Sequence, residues 1–339
     1  MSANPIRLSI IVPAHNSARE LRQSLAALVA SATADVEILV VDDASSDATA
    51  VVATATSARL LRLAQNSGPA AARNHGAGQA RGEILLFVDA DVVVRCDTVS
   101  RVQRTFDEEP GLAAVFGSYD ADPPASGTVS RYRNLLHHFV HQQGNLDAAT
   151  FWAGLGAVRR DVFAGVGGFD AKRFRRPSIE DIELGHRLRR AGHRIRLDRD
   201  LQGTHLKRWT LWSMIRTDVM CRALPWARLI LESGTIPEDL NLRSGQRLSA
   251  LLVAVAVLGA LLVPVRAEFW ILSLTSLLGI LVLNRRFYAF LLCRGGLPLV
   301  IVSVPLHLLY FLYSGSSYVY AWVEWRLRLA RPRRLFTSW

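Results

Sequence analysis

Through the first hundred residues, short and continuously apolar runs alternate with stretches of helical periodicity. Leu8 to Pro13 reads as a buried strand, and Ser17 with Glu20 makes a capping box opening a helix that carries Leu21, Leu25 and Leu28 on one face. Val36 to Val41 reads as a second strand ending in Asp42 and Asp43. Asp47 then begins a helix, and Arg59 to Leu63 reads as a short strand. Gly68 and Pro69 start an Ala-rich helix, proline suiting its first turn, and Ile84 to Val88 is a strand that runs into Asp89. Apolar strands alternating with helices predict an α/β fold with a mostly parallel central sheet covered on both faces. In such sheets ligands sit beyond the carboxyl ends of the strands, which is where these carboxylates lie.

From 112 to 210 the pattern is less regular. Leu112 to Gly117 predicts a strand, Thr128 to Gln143 a helix, Phe151 to Val158 a strand and Ile179 to Ala191 a helix with acidic residues in its first turn. The charged, aperiodic segment Phe169 to Pro177 predicts a mobile loop over a site. Beyond it the pattern changes solvent: 247 to 323 is dominated by Leu, Val, Ala and Phe. Leu248 to Val265, Phe269 to Leu283 and Leu297 to Val323 are candidate membrane spans, and the basic, aromatic Arg285 to Gly296 suits an interface. The expected organisation is a catalytic domain over 1–210, an amphipathic linker over 211–246, and transmembrane helices with a basic tail over 247–339. Positive charge collects on the inner side of membranes. A hairpin at Ser314 to Ser317 is therefore expected, to keep Arg326, Arg328, Arg331, Arg333 and Arg334 inside.

Composition narrows the partners. The formal charge is +11, carried almost wholly by arginine, because Lys172 and Lys207 are the only lysines. Beside apolar spans this suits anionic headgroups and phosphate-bearing substrates, and no nucleic-acid module is recognisable. Cys96, Cys221 and Cys293 have neither metal-ligand spacing nor a disulfide pattern, which points to a reducing compartment. No apolar run of signal-peptide length opens the chain, so the first domain is expected in the cytoplasm at an inner membrane.

The chemistry concentrates in Asp89-Ala90-Asp91, two carboxylates at a strand end that suit a hard divalent cation and a diphosphate. Several ordered pieces then accompany it: IIVPAHN at 10–16, VVDDASSDAT at 40–49, GPAAARNHG at 68–76, FVDADV at 87–92, IED at 179–181 and HLKRW at 205–209. Together they resemble glycosyltransferase family 2, of the GT-A fold, over positions 7 to about 230.

The resemblance implies an inverting transferase that takes sugar from a nucleotide diphosphate-sugar, UDP-sugar favoured. Pro13, Ala14, His15 and Asp43 would line the base pocket, Arg73 would approach the diphosphate or ribose, and Asp42 would be structural. Asp91 would bind Mg²⁺ or Mn²⁺, with Asp89 assisting at the ribose or metal shell. Asp181 would be the catalytic base, its proton affinity raised by Glu180. His205, Arg208 and Trp209 resemble the Q-x-x-R-W element of cellulose synthase-like enzymes, with His in place of Gln, and imply contacts to acceptor sugar and pyrophosphate. The acceptor is expected to be a hydroxyl of a membrane lipid or lipid-linked glycan. Transfer to a polyprenyl phosphate, or a sugar-nucleotide-binding protein without activity, are the alternatives.

Overall fold

The computed structural model describes residues 5–330, with side chains as far as residue 327. The chain divides at Thr210 into two compact units.

The first unit is built on eight strands and seven helices among the described residues. In chain order these are β1 (Leu8–Ala14), α1 (Ala18–Ser31), β2 (Val36–Asp42), α2 (Thr49–Thr54), β3 (Arg59–Arg62), α3 (Pro69–Gln79), β4 (Ile84–Val88) and β5 (Val92–Val94). There follow α4 (Thr98–Glu108), β6 (Leu112–Tyr119), α5 (Thr128–Gln143), β7 (Leu155–Arg159), α6 (Arg160–Gly165), α7 (Glu180–Arg190) and β8 (Arg194–His205). The strands form one sheet in the order β3-β2-β1-β4-β7-β6-β8-β5.

The β3-β2-β1-β4 half is parallel, as continuously apolar strands predict. Ile10, Val12, Val40, Leu86 and Val88 are wholly buried, and Leu21, Leu25 and Leu28 of α1 close one face over them. Beyond β4 the sheet is mixed. β7 is antiparallel to both β4 and β6, β8 runs parallel to β6, and β5 is antiparallel to β8.

Three local expectations change. Ser17 makes no capping bond; instead Asp47 Oδ2 accepts from Ala18 N at 3.1 Å, so the cap of α1 comes from the loop after β2. The strand expected from Phe151 begins at Leu155, because Gly154 and Trp152 turn the chain first. β8 escapes the apolar pattern altogether: its sequence RIRLDRDLQGTH buries Ile195, Leu197 and Leu201 while spending its arginines on Glu109 and on carbonyls.

The second unit is helical. It comprises α8 (Leu211–Thr217), a π-helical turn at Asp218–Ala223, α9 (Leu224–Ser233), α10 (Ser244–Leu262), α11 (Phe269–Leu283) and α12 (Arg285–Ala330). α10 and α12 are long and apolar enough to cross a membrane, while α11 has 15 residues and is shorter than that measure. α12 is two helices joined by a kink at Gly295 and Gly296, where Gly296 has φ 68°. The expected hairpin at Ser314 to Ser317 is absent, since those residues are helical. Ser317 Oγ donates to the carbonyl of Tyr313 at 2.7 Å, so the serine serves its own helix instead of breaking it. Arg331, Arg333 and Arg334 lie outside the described residues.

Candidate active site

β1 and β2 end level with each other, Ala14 opposite Asp42, and the chain turns there into the first cluster of expected site residues. Asp43 N donates to the Ala14 carbonyl at 2.8 Å, and His15 Nδ1 donates to the Asp43 carbonyl at 2.7 Å. Pro13 is half-buried, Ala14 buried and His15 exposed beside them. Asp43 is not a free acceptor, as the base-pocket expectation had it. Its two oxygens accept from Ser67 N at 2.7 Å and Gly68 N at 2.8 Å, tying the end of β2 to the start of α3. Each carboxylate oxygen retains a further lone pair. Asp42 is structural: it accepts from Ser45 N and from Arg62 Nε, at 2.9 Å and 3.0 Å.

Gly68 stands at a crossing that only glycine suits. Its φ is +86°, and a Cβ there would lie 2.3 Å from the carbonyl oxygen of Arg175. That contact brings the 169–177 segment against the start of α3. The segment is tethered at its root, because Asn74 donates to the Phe169 carbonyl at 2.7 Å and accepts from Phe169 N at 2.9 Å. Arg187 of α7 adds a bond to the Gly168 carbonyl at 2.6 Å. Phe169 and Phe174 are buried, so the stretch expected to be a mobile loop carries its own apolar anchors.

At the carboxyl end of β4 the acidic groups converge on Arg73. This arginine, 5% exposed, donates through one terminal nitrogen to Asp89 Oδ1 at 2.6 Å and through the other to Glu180 Oε1 at 2.9 Å. Each terminal nitrogen of Arg73 thus makes one bond to a carboxylate, while Nε is buried without a hydrogen-bond partner among the described residues. Burial alone would lower its proton affinity, but Asp89, Glu180 and Asp181 outweigh that and raise it. It is a fixed cation joining α3, β4 and α7.

The two aspartates of the triplet are unlike. Burial, with Asp91 and Glu180 adding to it, lifts Asp89 above the usual carboxylate range although Arg73 pulls the other way. The Arg73 guanidinium 2.6 Å away nevertheless holds Asp89 as the ionised partner of a charge-assisted pair. Asp91 is held below its ordinary value, because His205 and Lys207 overcome the cost of burial. Asp91 is thus the stable anion of the site.

Asp181 occupies the first turn of α7, partly buried, accepting from Ala153 N at 3.1 Å and Ile182 N at 2.8 Å. Burial and then the neighbouring Glu180 push its carboxyl up to about 7, with Arg73 opposing. Gly185, one turn on, lets α7 approach the main chain at Phe151, where a Cβ would lie 2.3 Å from the Phe151 nitrogen.

The HLKRW stretch ends β8 and starts the following turn. The antiparallel pairing of Val92 with His205 sets His205 beside the triplet, its Nε2 3.4 Å from Asp91 Oδ2. Trp209 is buried, with Lys207 Nζ 4.5 Å from its ring centroid and its backbone bonded to Ser130. It is not an open stacking platform in this conformation. Arg208 is exposed. Sequence reasoning missed Asn134 and Tyr119, which flank His205 from α5 and β6, because only the sheet brings them there.

Among the described residues no cluster of three or more protein ligands forms a self-sufficient metal cage. The carboxylate and imidazole donors at Asp91, Asp89 and His205 suit a cation that takes its remaining ligands from substrate phosphates and water, as Mg²⁺ commonly does.

Comparison with known proteins follows this geometry. Residues 9–167 match the family model described as glycosyl transferase family 2. The match covers 159 of the 339 residues, so this part of the chain is similar to a family 2 glycosyltransferase domain. Succinoglycan biosynthesis protein ExoO of Rhizobium meliloti is 36% identical over 111 residues, 32% of this chain and 32% of that protein. The chain therefore spans about a third of the length of that relative.

Among solved structures, the mannosyltransferase PcManGT from Pyrobaculum calidifontis, in complex with GDP-Man and Mn²⁺, superposes with a TM-score of 0.56 at 17% identity, covering 93% of this chain and 87% of that one. TarS residues 1–349 of S. aureus, in complex with UDP-GlcNAc, gives 0.51 at 18% identity over 95% and 92%. The glycosyltransferase domain thus has the GT-A fold, a mixed α/β sheet, and an apolar helical region follows it in the chain.

Proposed function

We propose that this chain is an inverting glycosyltransferase that moves a sugar from a nucleotide diphosphate-sugar to a hydroxyl of a membrane lipid or lipid-linked glycan. The observation that carries the reading is Asp181, a carboxyl raised to about 7 at the head of α7, tied through Glu180 and Arg73 to the Asp89–Asp91 triplet. A base poised near neutral pH is what a hydroxyl acceptor requires, and a phosphate acceptor has no proton to lose.

In this reading Pro13, Ala14, His15 and Asp43 form the floor for the nucleotide base. A UDP-sugar is the favoured donor, since a carboxylate that still has lone pairs accepts from the uracil ring N–H. Asp91 and Asp89, with His205 beside Asp91, would hold Mg²⁺ or Mn²⁺, which would supply positive charge to the diphosphate leaving group. Arg73 does not touch the donor; it holds Asp89 and Glu180 in register. Asp181 takes the acceptor hydroxyl proton as that oxygen bonds to the anomeric carbon and the bond from that carbon to the diphosphate oxygen breaks. Arg208 and Trp209 lie on the side where acceptor and pyrophosphate enter, the ring of Trp209 being uncovered by movement of Lys207.

The apolar helices α10 and α12 support an inner-membrane enzyme whose catalytic domain meets donor in the cytoplasm. The relative named for succinoglycan biosynthesis and the TarS complex with UDP-GlcNAc support a role in cell-envelope glycans and a uridine nucleotide, while the PcManGT complex supports Mn²⁺.

The test incubates purified protein with radiolabelled UDP-, GDP- and dTDP-sugars and a total lipid extract from its host. Lipid-soluble label that survives phosphatase treatment and mild acid is expected. Label released by mild acid as the free monosaccharide would instead identify a polyprenyl-phosphate product, whereas release within an oligosaccharide fits a lipid-linked glycan acceptor.

A further inference from the structure

The pairing of β8 with β5 sets His205 beside Asp91 of the acidic triplet, and its ring is held from two sides. Tyr119 stacks on it with centroids 4.1 Å apart and planes inclined by only 7°. Asn134 of α5, 1% exposed, sets its Oδ1 2.7 Å from His205 Nδ1. A carbonyl oxygen only accepts, so the proton of this bond belongs to Nδ1. Nε2 is then the nitrogen that faces Asp91 Oδ2, at 3.4 Å.

That separation is long for an N–H···O bond, whose ordinary range ends near ~3.2 Å. Neighbouring donors on an octahedral cation at bonds of ~2.0–2.1 Å stand ~2.9 Å apart, so a small approach of Nε2 to Asp91 Oδ2 would let both hold one ion. Asn134 Nδ2 is buried without a partner among the described residues, so the bond to His205 is what anchors the amide.

We propose that Asn134 is a positioning residue: it fixes the tautomer and orientation of His205 so that Nε2, together with Asp91, is presented to the divalent cation. The inference rests on the metal reading above and adds a residue that does not itself touch the metal. Tyr119 sets the plane of the ring and Asn134 sets its rotation within that plane, which leaves one lone pair pointing at the site. Hydrogen-bond partners of this kind change metal affinity by about 10–100-fold when removed.

The experiment measures Mn²⁺ affinity by water-proton relaxation in the purified full chain, at saturating UDP and in a parallel series with GDP. Thermal unfolding of each variant is followed alongside. Asp91→Asn and His205→Ala are expected to abolish or strongly weaken binding. Asn134→Leu, which keeps the number and branching of side-chain heavy atoms and removes the acceptor, is expected to weaken it about 10–100-fold. Asn134→Asp restores an acceptor to Nδ1 and should bind within about threefold of wild type, or tighter.

Full Mn²⁺ affinity in Asn134→Leu beside a weakened His205→Ala overturns the positioning role. So does equal loss in Asn134→Asp and Asn134→Leu, because the acceptor is then not what matters. An unchanged His205→Ala beside a weakened Asp91→Asn removes the imidazole and leaves the metal reading intact. If Asp91→Asn is unchanged as well, the metal reading fails and this inference with it. Should Asn134→Leu not fold, Asn134→Ala carries the same comparison.

Discussion

Asp181 is the residue on which pH dependence should turn. Its carboxyl is raised to about 7, first by burial and then by Glu180, and only the deprotonated form can accept a proton. Turnover under kcat/KM conditions is therefore expected to rise with pH through about 7 and level off above it. Glu180→Gln removes a raising charge, so the rising limb should move to lower pH. Asp181→Asn should lower kcat by ~10²–10⁴ while donor affinity, read by calorimetry, stays near wild type. The same shift has a stability consequence of opposite slope. Between the unfolded value near 3.8 and the folded value about 7 the native state holds a proton that the unfolded state has lost. The contribution is thus complete at low pH and is lost as pH rises to about 7. Thermal scans at pH 4 and pH 8 should show Asp181→Asn gaining on wild type at the higher pH. Asp91, in contrast, is held down as an anion, and its role is electrostatic. Asp91→Asn, or excess chelator, should remove most sugar transfer, and full turnover in chelator would eliminate the metal from the reaction.

At the scale of elements, the site is a junction where the ends of β1, β2 and β4 meet the starts of α3 and α7. Parallel strands place their carboxyl ends on one rim, and helices entering from that rim bring their N-terminal turns to it. Arg73 is the brace of this junction, carrying α3 onto Asp89 after β4 and onto Glu180 at the head of α7. Removing one partner of a buried ion pair leaves an uncompensated charge, at a cost of ~3–5 kcal/mol. Glu180 is the partner left most exposed to that penalty, its side chain being 6% accessible against 32% for Asp89. Arg73→Gln is therefore expected to lower the unfolding free energy extrapolated from urea titration by ~3 kcal/mol, near the bottom of that range. Its activity should fall even where folding is restored by lower temperature, because both carboxylate arrays lose their register. A variant with wild-type stability would show that the three elements are held by packing alone.

For the whole molecule, the two units differ in the solvent they are built for. The first buries continuous apolar strands beneath amphipathic helices, whereas α10 and α12 leave most of their apolar surface uncovered by protein. Two buried polar side chains of the second unit find partners within it, as hydrocarbon favours: Asn284 donates to Ser249 Oγ at 2.9 Å, and Tyr313 donates to Asp218 at 2.6 Å. The full chain is expected to fractionate with membranes and to resist extraction by alkaline carbonate. Release by salt alone would mean that the arginine-rich surface, not the apolar helices, holds it there.

Periodicity made the parallel half of the sheet legible, because strands buried on both faces are apolar at every position and need no partner to be recognised. The motif residues were legible for a related reason: Asp43, Asp89, Asp91 and Asp181 each fall at the end of a strand or the head of a helix that the local pattern predicts. The sequence alone therefore determined the fold class and the change to an apolar helical region near residue 247, and it named the carboxylates of the candidate site. What it could not determine is how groups far apart in the chain divide their bonds. Arg73 reads as a free cation until Glu180, 107 residues away, occupies one of its arms. His205 reads as a misplaced glutamine until β8 pairs with β5 and brings it to Asp91. The capping box at Ser17 is locally sound, yet Asp47 takes the position from another loop. In each case the residue has more than one good partner, and local pattern cannot rank them. The tertiary structure ranks them, because burial makes an unpaired charge or donor costly and so selects the arrangement in which the most groups are satisfied.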